Sequence, residues 1–316
     1  MKEVNYFMDR IDRIQRAIQE FLKNKKFKNL EEANAGLIEF IWKLNNTPVD
    51  EFCGLTPYHM DALIYQPFNS PDVVRFNLEA SPPLEAPFIR LLLMLLEEIG
   101  KEPEGLKATA KGNLPRKICR KIEEEFFPEE IRKLLLRDRH PIMKEENFWD
   151  LHVVRVVAEL SGFLKKYKKS FVLTKKGKSI VERGFTIRDY MHLFQTFTRE
   201  FNWAYSDYYE EIPIMQDSFL FTLYLLHLYG DEYRPREFYS ALFIRAYPHV
   251  LEEVPSHIME PEDLVKNIYK IRVLENFAVV LGFAESKEKF HHLKLFNQPI
   301  KKTVFLDEFI NFQVEK

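Results

Sequence analysis

The sequence predicts a mainly helical protein with a few short β-hairpins, and three observations predict it. Apolar residues recur at steps of three and four along much of the 316-residue chain, the spacing of helices that bury one face. Residues 186–250 are aromatic-rich and read as successive helices, punctuated by EIPIM and the GDEYRP turn. In FLKKYKKSFVLT (163–174) two short runs flank a tight turn, as in a hairpin.

Composition narrows the rest. An apolar content of 46%, with 28 Phe, suffices for a large core. A net charge of −2 demands neither nucleic acid nor membrane. Two cysteines, Cys53 and Cys119, exclude a disulfide framework and suit a reducing compartment. MKEVNYFMDRIDRIQ alternates charges and lacks the apolar run of a signal peptide. The longest apolar stretches, Phe88–Leu96 and Phe219–Tyr229, are too short or too polar to cross a bilayer. A cytoplasmic protein with no membrane partner is expected.

Taken in order, Val4, Phe7, Ile11, Ile14, Ile18 and Phe21 mark a first helix with a narrow apolar seam. It either docks on its neighbour as a hairpin or pairs two chains as a homodimer. A Lys-rich turn (23–29) leads to a second helix carrying Leu30, Ala33, Leu37, Ile38, Ile41 and Leu44, closed by Asn45, Asn46 and Pro48. In GLTPYHMDALIYQPF (54–68), Thr56 caps a helix that opens at Pro57, and Pro67 stops it. A proline-rich loop precedes an apolar helix over Phe88–Gly100. Next come LKATAKGNLPRKICRKIEEEF, a short helix around Pro128–Arg137 and the turn DRHPIM. A helix from Glu145 to Ser161-Gly162, the 163–174 hairpin and a helix over Lys175–Arg183 follow. Beyond the aromatic-rich region, a long helix covers about Glu260–Leu281, and the tail has the alternation of two strands.

A repeated signature gives these elements a family likeness. After an apolar helix come Gly162, the strands FLKKY and SFVLT, then Thr174, Lys176 and Gly177. This order resembles the end of a winged-helix domain, as in repressors of the multiple-antibiotic-resistance type. The resemblance implies that the helix before the glycine packs or reads DNA, that the hairpin is the wing, and that LT-x-KG opens the next helix. Thr174 is suited to cap that helix. An earlier copy aligns as Gly100, then Thr109, Lys111 and Gly112. A fainter third pairs VVLGFAES (279–286) with AELSGFLKK (158–166) and lacks the Lys-Gly pair. The expected architecture is therefore a helical bundle containing two or three winged-helix-like units: a helical hairpin (1–50), units at 51–125 and 126–185, and an aromatic-rich helical domain (186–316) that ends in the third. GLTP-x-x-M (54–60) also resembles a segment of uncharacterised bacterial proteins.

Charge placement favours an anionic partner. LKKYKKSFVLTKKGK (164–178) has seven lysines and no acid, and LKATAKGNLPRKICRK (106–121) has six basic residues and no acid. Lys165, Lys166, Lys168, Lys169, Lys175, Lys176, Lys178, Lys111, Arg116 and Lys117 are the candidate nucleic-acid contacts, suited to sequence-independent phosphate binding. The helices that would read a groove lack the residues for it. The first offers Arg90 beside Glu97 and Glu98; the second offers Asp150, His152, Arg155, Glu159 and Ser161. Both read as core.

A second candidate is the polar and aromatic run REFNWAYSDYYEEIP (199–213). His192, Trp203, Tyr205, Asp207, Tyr208 and Glu211 form a candidate ligand or peptide groove, and the acids with the histidine could do acid–base chemistry. No metal-ligand spacing, Walker motif, G-x-G-x-x-G or G-x-S-x-G occurs. His291 and His292 are adjacent and would point apart. No cofactor or metal is expected. The leading reading is a non-catalytic binding or regulatory module, whose basic wings are the contact surface if the partner is anionic, with non-specific DNA binding as one such use. The alternatives are a protein-interaction scaffold, and an enzyme or ligand sensor at 192–211.

Overall fold

The computed structural model describes residues 15–129, 132, 144–254, 259–287 and 298–314. Helix makes up 60% of it, and the strands form a few small antiparallel sheets. Among the described residues, no helix is long and apolar enough to cross a membrane.

Helix α1, described over residues 15–24, pairs with α2 (Leu30–Asn45) as a hairpin, with Phe21 stacked on Phe40 at 4.3 Å. Asn29 caps α2 by accepting from the Glu32 amide, and no α2 residue is buried. Val4, Phe7, Ile11 and Ile14 of the apolar seam lie outside the described residues, as do His291, His292 and most of Pro128–Arg137. Helix α3 (Pro57–Tyr65) starts at Thr56 with a capping box completed by His59, so the proline-after-threonine reading holds. Strand β1 (Val74–Phe76) follows.

The next stretch forms one unit. Helix α4 (Pro87–Gly100) leads to β2 (Leu106–Lys107), α5 (Arg116–Phe126), α6 (Trp149–Leu160), the β3–β4 hairpin (Leu164–Tyr167 and Ser170–Leu173) and α7 (Lys175–Arg183). The sheet order is β2-β4-β3, all antiparallel, with Leu106 opposite Phe171 and Lys107 opposite Ser170. Strands from the two stretches 51–125 and 126–185 therefore share one sheet, and α4 packs on α6. Strand β2, two residues long, finds its partner in β4.

A similar order recurs later. Helices α8 (Ile187–Arg199) and α9 (Pro213–Asp217) lead to α10 (Phe219–Tyr229), a bridge between Arg234 and Ile300, and α11 (Arg236–Ala246). Helix α12 (Pro261–Ile268) then runs into a π-helical stretch over Tyr269–Val279. Strands β5 (Ala284–Ser286) and β6 (Ile300–Lys302) pair antiparallel, and α13 (Val304–Phe309) and β7 (Ile310–Phe312) follow. Among the described residues the tail holds three strands rather than two. The long final helix is present, with its second half wound wider than an α-helix.

The turn from helix to hairpin is built identically in both places. Gly162 and Gly282 have φ of 66° and 89°. Thr174 Oγ1 donates to the Gly162 carbonyl at 2.6 Å, and Thr303 Oγ1 donates to the Gly282 carbonyl at 2.6 Å. The Phe163 amide reaches the Ala158 carbonyl at 2.9 Å, and Phe283 reaches Ala278 at 2.8 Å. The stretch at Thr109 is built differently. There Thr109 Oγ1 accepts from the Asn113 amide within a turn, and α5 opens at Arg116 after Pro115.

The core is aromatic. Phe194 on α8 touches the rings of Phe68, Phe76, Phe219, Phe277, Phe283 and Phe309, with centroids between 5.3 and 6.3 Å. A fully buried Phe contributes about 1.5–3 kcal/mol, so this ring is a main tie between the N-terminal segment, α8 and the C-terminal elements. Strand β1 also pairs antiparallel with β7, Val74 opposite Phe312.

Candidate nucleic-acid interface

The hairpin turn is the most unusual piece of backbone. Lys168 and Lys169 have φ of 46° and 65°. A two-residue hairpin turn with both residues left-handed matches the right-handed strand twist, and Asn-Gly normally fills it. A Cβ there meets the backbone, at roughly 1–2 kcal/mol per L-residue. This turn holds two lysines instead.

The shared sheet gathers the other cations. The Ala108 amide donates to the Lys169 carbonyl at 2.8 Å, so the 109–113 turn lies beside the hairpin tip. A Cβ on Gly112 would sit 3.3 Å from Lys166 Nζ. Lys111 lies in that turn, and Arg116 and Lys117 open α5 just after it. Lys175, Lys176 and Lys178 occupy the first turn of α7, where the helix dipole favours acids over cations. All ten candidate cations are exposed, and among the described residues none forms an ion pair. Lysines elsewhere do: Lys101 and Lys121 both reach Glu98, and Lys302 reaches Asp231 and Asp307.

The repeated Lys-Gly has two different physical origins. Thr174 caps α7 by accepting from the Gly177 amide at 3.2 Å. A Cβ on Gly177 would lie 2.0 Å from the Phe163 carbonyl oxygen, so only glycine lets α7 press onto the start of the hairpin. Gly112 instead has φ of 83° and closes the 109–112 turn.

Helix α6 is largely buried. Leu151, His152, Val153, Val154, Arg155, Val157 and Ala158 are buried, with α8 packed against it. His152 and Arg155 face a network around Glu145. Glu145, fully buried, accepts from Arg155 Nε at 2.6 Å, His152 Nδ1 at 2.7 Å and the Leu114 amide. Burial alone would push the Glu145 carboxyl up, but the His152 hydrogen bond, the Arg155 charge and the Leu114 amide outweigh it and hold it below its ordinary value. Ionised Glu145 has no proton to give, so in the neutral ring His152 Nδ1 carries the hydrogen and Nε2 accepts from the Tyr205 hydroxyl at 2.7 Å. Trp149 stacks on His152 at 4.7 Å, and its Nε1 donates to the Ser206 carbonyl.

The 192–211 residues are dispersed by their partners. Trp203 is buried, stacked on Phe277 at 4.5 Å, and donates to the Phe197 carbonyl, so it belongs to the core and lines no open groove. Asp207 forms a bidentate pair with buried Arg272 at 2.7 and 2.8 Å. Arg272 also binds the carbonyls of Tyr209 and Glu210 and so fixes the loop. His192 Nε2 donates to the Ser161 carbonyl at 2.7 Å, beside Lys176 Nζ. Tyr205, Tyr208 and Glu211 are exposed, Tyr208 with φ of 62°. His192, Asp207 and Glu211 thus form no common polar cluster. The chain from Glu145 through His152 to Tyr205 escaped sequence reading; its only trace was His152 three residues before Arg155 on one helix face. Lys107 and Tyr167, both exposed on the basic sheet, were also missed as site residues.

A cavity of about 890 Å³ opens between α4, the end of α5, α6 and the C-terminal elements, lined by Phe88, Phe126, Trp149, Val280 and Phe305 among others. None of the ten candidate cations lines it. Among the described residues, no cluster of His, Cys, Asp and Glu could hold a metal ion.

Residues 84–186 match the family model described as the Y4jL N-terminal domain, about a third of the chain. The matched span runs from just before α4 to just after α7, the elements around the β2-β4-β3 sheet. No curated protein and no solved structure matches the chain.

Proposed function

We propose that the chain carries two winged-helix units in tandem, over 87–183 and 219–309, and that the first binds nucleic-acid backbone without reading sequence. The order helix, strand, helix, helix, hairpin, helix supports both units. In the second, the Arg234–Ile300 bridge takes the place of the β2–β4 pairing. The observation that carries the binding reading is the Lys168-Lys169 turn: strained backbone retained to hold cations at a wing tip points to use of that tip. Eight further exposed cations lie on the same sheet and on the helices that follow it, Lys175, Lys176 and Lys178 at the base of the hairpin. The largely buried α6 argues against groove reading, so backbone contact dominates and affinity falls steeply with salt. Anisotropy of a labelled generic oligonucleotide, titrated between about 50 and 200 mM salt, tests this. Micromolar binding that weakens by orders of magnitude over that range is expected. Absence of binding at the lowest salt would overturn it.

A second reading rests on Tyr205, whose hydroxyl points at a histidine oriented by a buried glutamate, the geometry of an activated nucleophile. An aryl sulfonyl fluoride should then label Tyr205 before Tyr208, although Tyr208 is 79% exposed and Tyr205 46%. Labelling in the order of exposure would reject this reading.

A further inference from the structure

We infer that the outer face of the β2-β4-β3 sheet binds single-stranded nucleic acid, with Tyr167 as a stacking platform for a base. The inference rests on the backbone-binding reading above and names its substrate class.

Strand register divides the sheet into two faces. Leu106, Leu164 and Phe171 are buried and define the inner one. Lys166, opposite Phe171, belongs to that side, its Nζ 5.1 Å from the Phe171 ring centre. The outer face therefore carries Lys165 and Tyr167 from β3, Ser170 and Val172 from β4, and Lys107 from β2. Lys107, Ser170 and Tyr167 form one row across the three strands. Serine in the middle of that row is too small to cover the tyrosine ring, and Tyr167 is 56% exposed. Lys168 Nζ lies 5.3 Å from its ring centre and Lys165 Nζ 5.9 Å.

An aromatic ring set among mobile ammonium groups suits an unpaired nucleotide. The base stacks on the ring while its flanking phosphates meet Lys107, Lys165 and Lys168. A duplex offers this face its phosphates but not its bases, whose π-faces are taken by their neighbours. The largely buried α6 leaves this unit poorly placed to compensate by reading a groove. Stacking accepts any base, so this face needs no sequence preference to bind.

The test uses the full chain with fluorescein-labelled dT15, U15 and a 15-base-pair duplex, titrated by anisotropy across the same salt range. Both single strands should bind more tightly than the duplex, and the dT15 to U15 ratio separates DNA from RNA as the ligand. Tyr167→Ala should weaken single-strand binding about 5- to 150-fold, leave duplex binding unchanged and keep the salt slope. Tyr167→Trp should retain affinity. Equal or tighter duplex binding, or single-strand affinity unmoved by Tyr167→Ala, would overturn the inference and leave backbone binding standing. Failure of all three oligonucleotides to bind would overturn both.

Discussion

Replacing Lys168 with Asn and Lys169 with Gly should make the protein more stable and a poorer binder. Both residues have left-handed backbone, φ 46° and 65°, a conformation that costs an L-residue roughly 1–2 kcal/mol. Asn tolerates it, and Gly adopts it freely. Glycine's greater freedom in the unfolded chain takes back about 0.5–1 kcal/mol. Loss of the Lys168 contact with the Tyr167 ring takes back about 0.5 kcal/mol more. A net gain of about 1–2 kcal/mol remains, readable as a higher urea midpoint with unchanged m-value. Two phosphate contacts disappear together, so the slope of log K against log salt for a single strand should flatten by about 1.4. No gain in stability would refute the strain argument. A stabilised variant with the parent salt slope would show that these lysines touch no phosphate.

Other outcomes follow from features away from the hairpin tip. Gly177→Ala places a Cβ 2.0 Å from the Phe163 carbonyl oxygen and should cost about 3 kcal/mol in denaturant titration. Asp207→Asn breaks the bidentate pair with buried Arg272; a loss of about 3–5 kcal/mol and new proteolytic cleavage within 207–211 are expected. Glu145 is held below its ordinary value of 4.5 when folded, so its contribution is complete above that value and fades as pH falls through the folded pKa. Glu145→Gln should therefore lower stability by about 3 kcal/mol at pH 7, with the gap to the parent closing in acid. Burial pushes the Cys119 thiol up to about 12, the Glu145 charge adding to it, so a thiol reagent at pH 8 should modify Cys53 alone until the protein unfolds.

Elements whose cause is local were legible in the sequence. Thr56 before Pro57, Thr174 before Lys175 and the LKKY–SFVL hairpin all rest on caps and alternation, and each lies where its residues imply. Partnership was not legible. The signature at Thr109 matches that at Thr174 in letters, yet its glycine serves a turn while Gly177 serves a close contact. The fainter copy, lacking Lys-Gly, repeats the Gly162–Thr174 hydrogen bonds at Gly282 and Thr303, because backbone and threonine carry that geometry. The candidate site divided the same way. Lysine-rich runs announced the basic surface, whereas Trp203 and Asp207 were absorbed by Phe277 and Arg272, partners more than 60 positions away. Nothing in the spacing of Glu145, His152 and Tyr205 announces that they bond in series.

The pairing of β1 with β7 sets a schedule for biosynthesis. Asn77 Nδ2 donates to the Glu308 carbonyl across 231 residues of chain, and Val74 waits for Phe312 to complete its ladder. At about 5–20 residues per second, a ribosome needs roughly 10–50 s to make the intervening polypeptide. The α4–α7 unit draws all its strands from a span of fewer than 90 residues and can mature on the ribosome during that interval. Phe76, with the Phe194 ring beside it, lacks its Phe309 neighbour until the last elements emerge. The nascent chain thus presents a finished basic hairpin while its aromatic centre is still open, and this interval is when it most needs a chaperone.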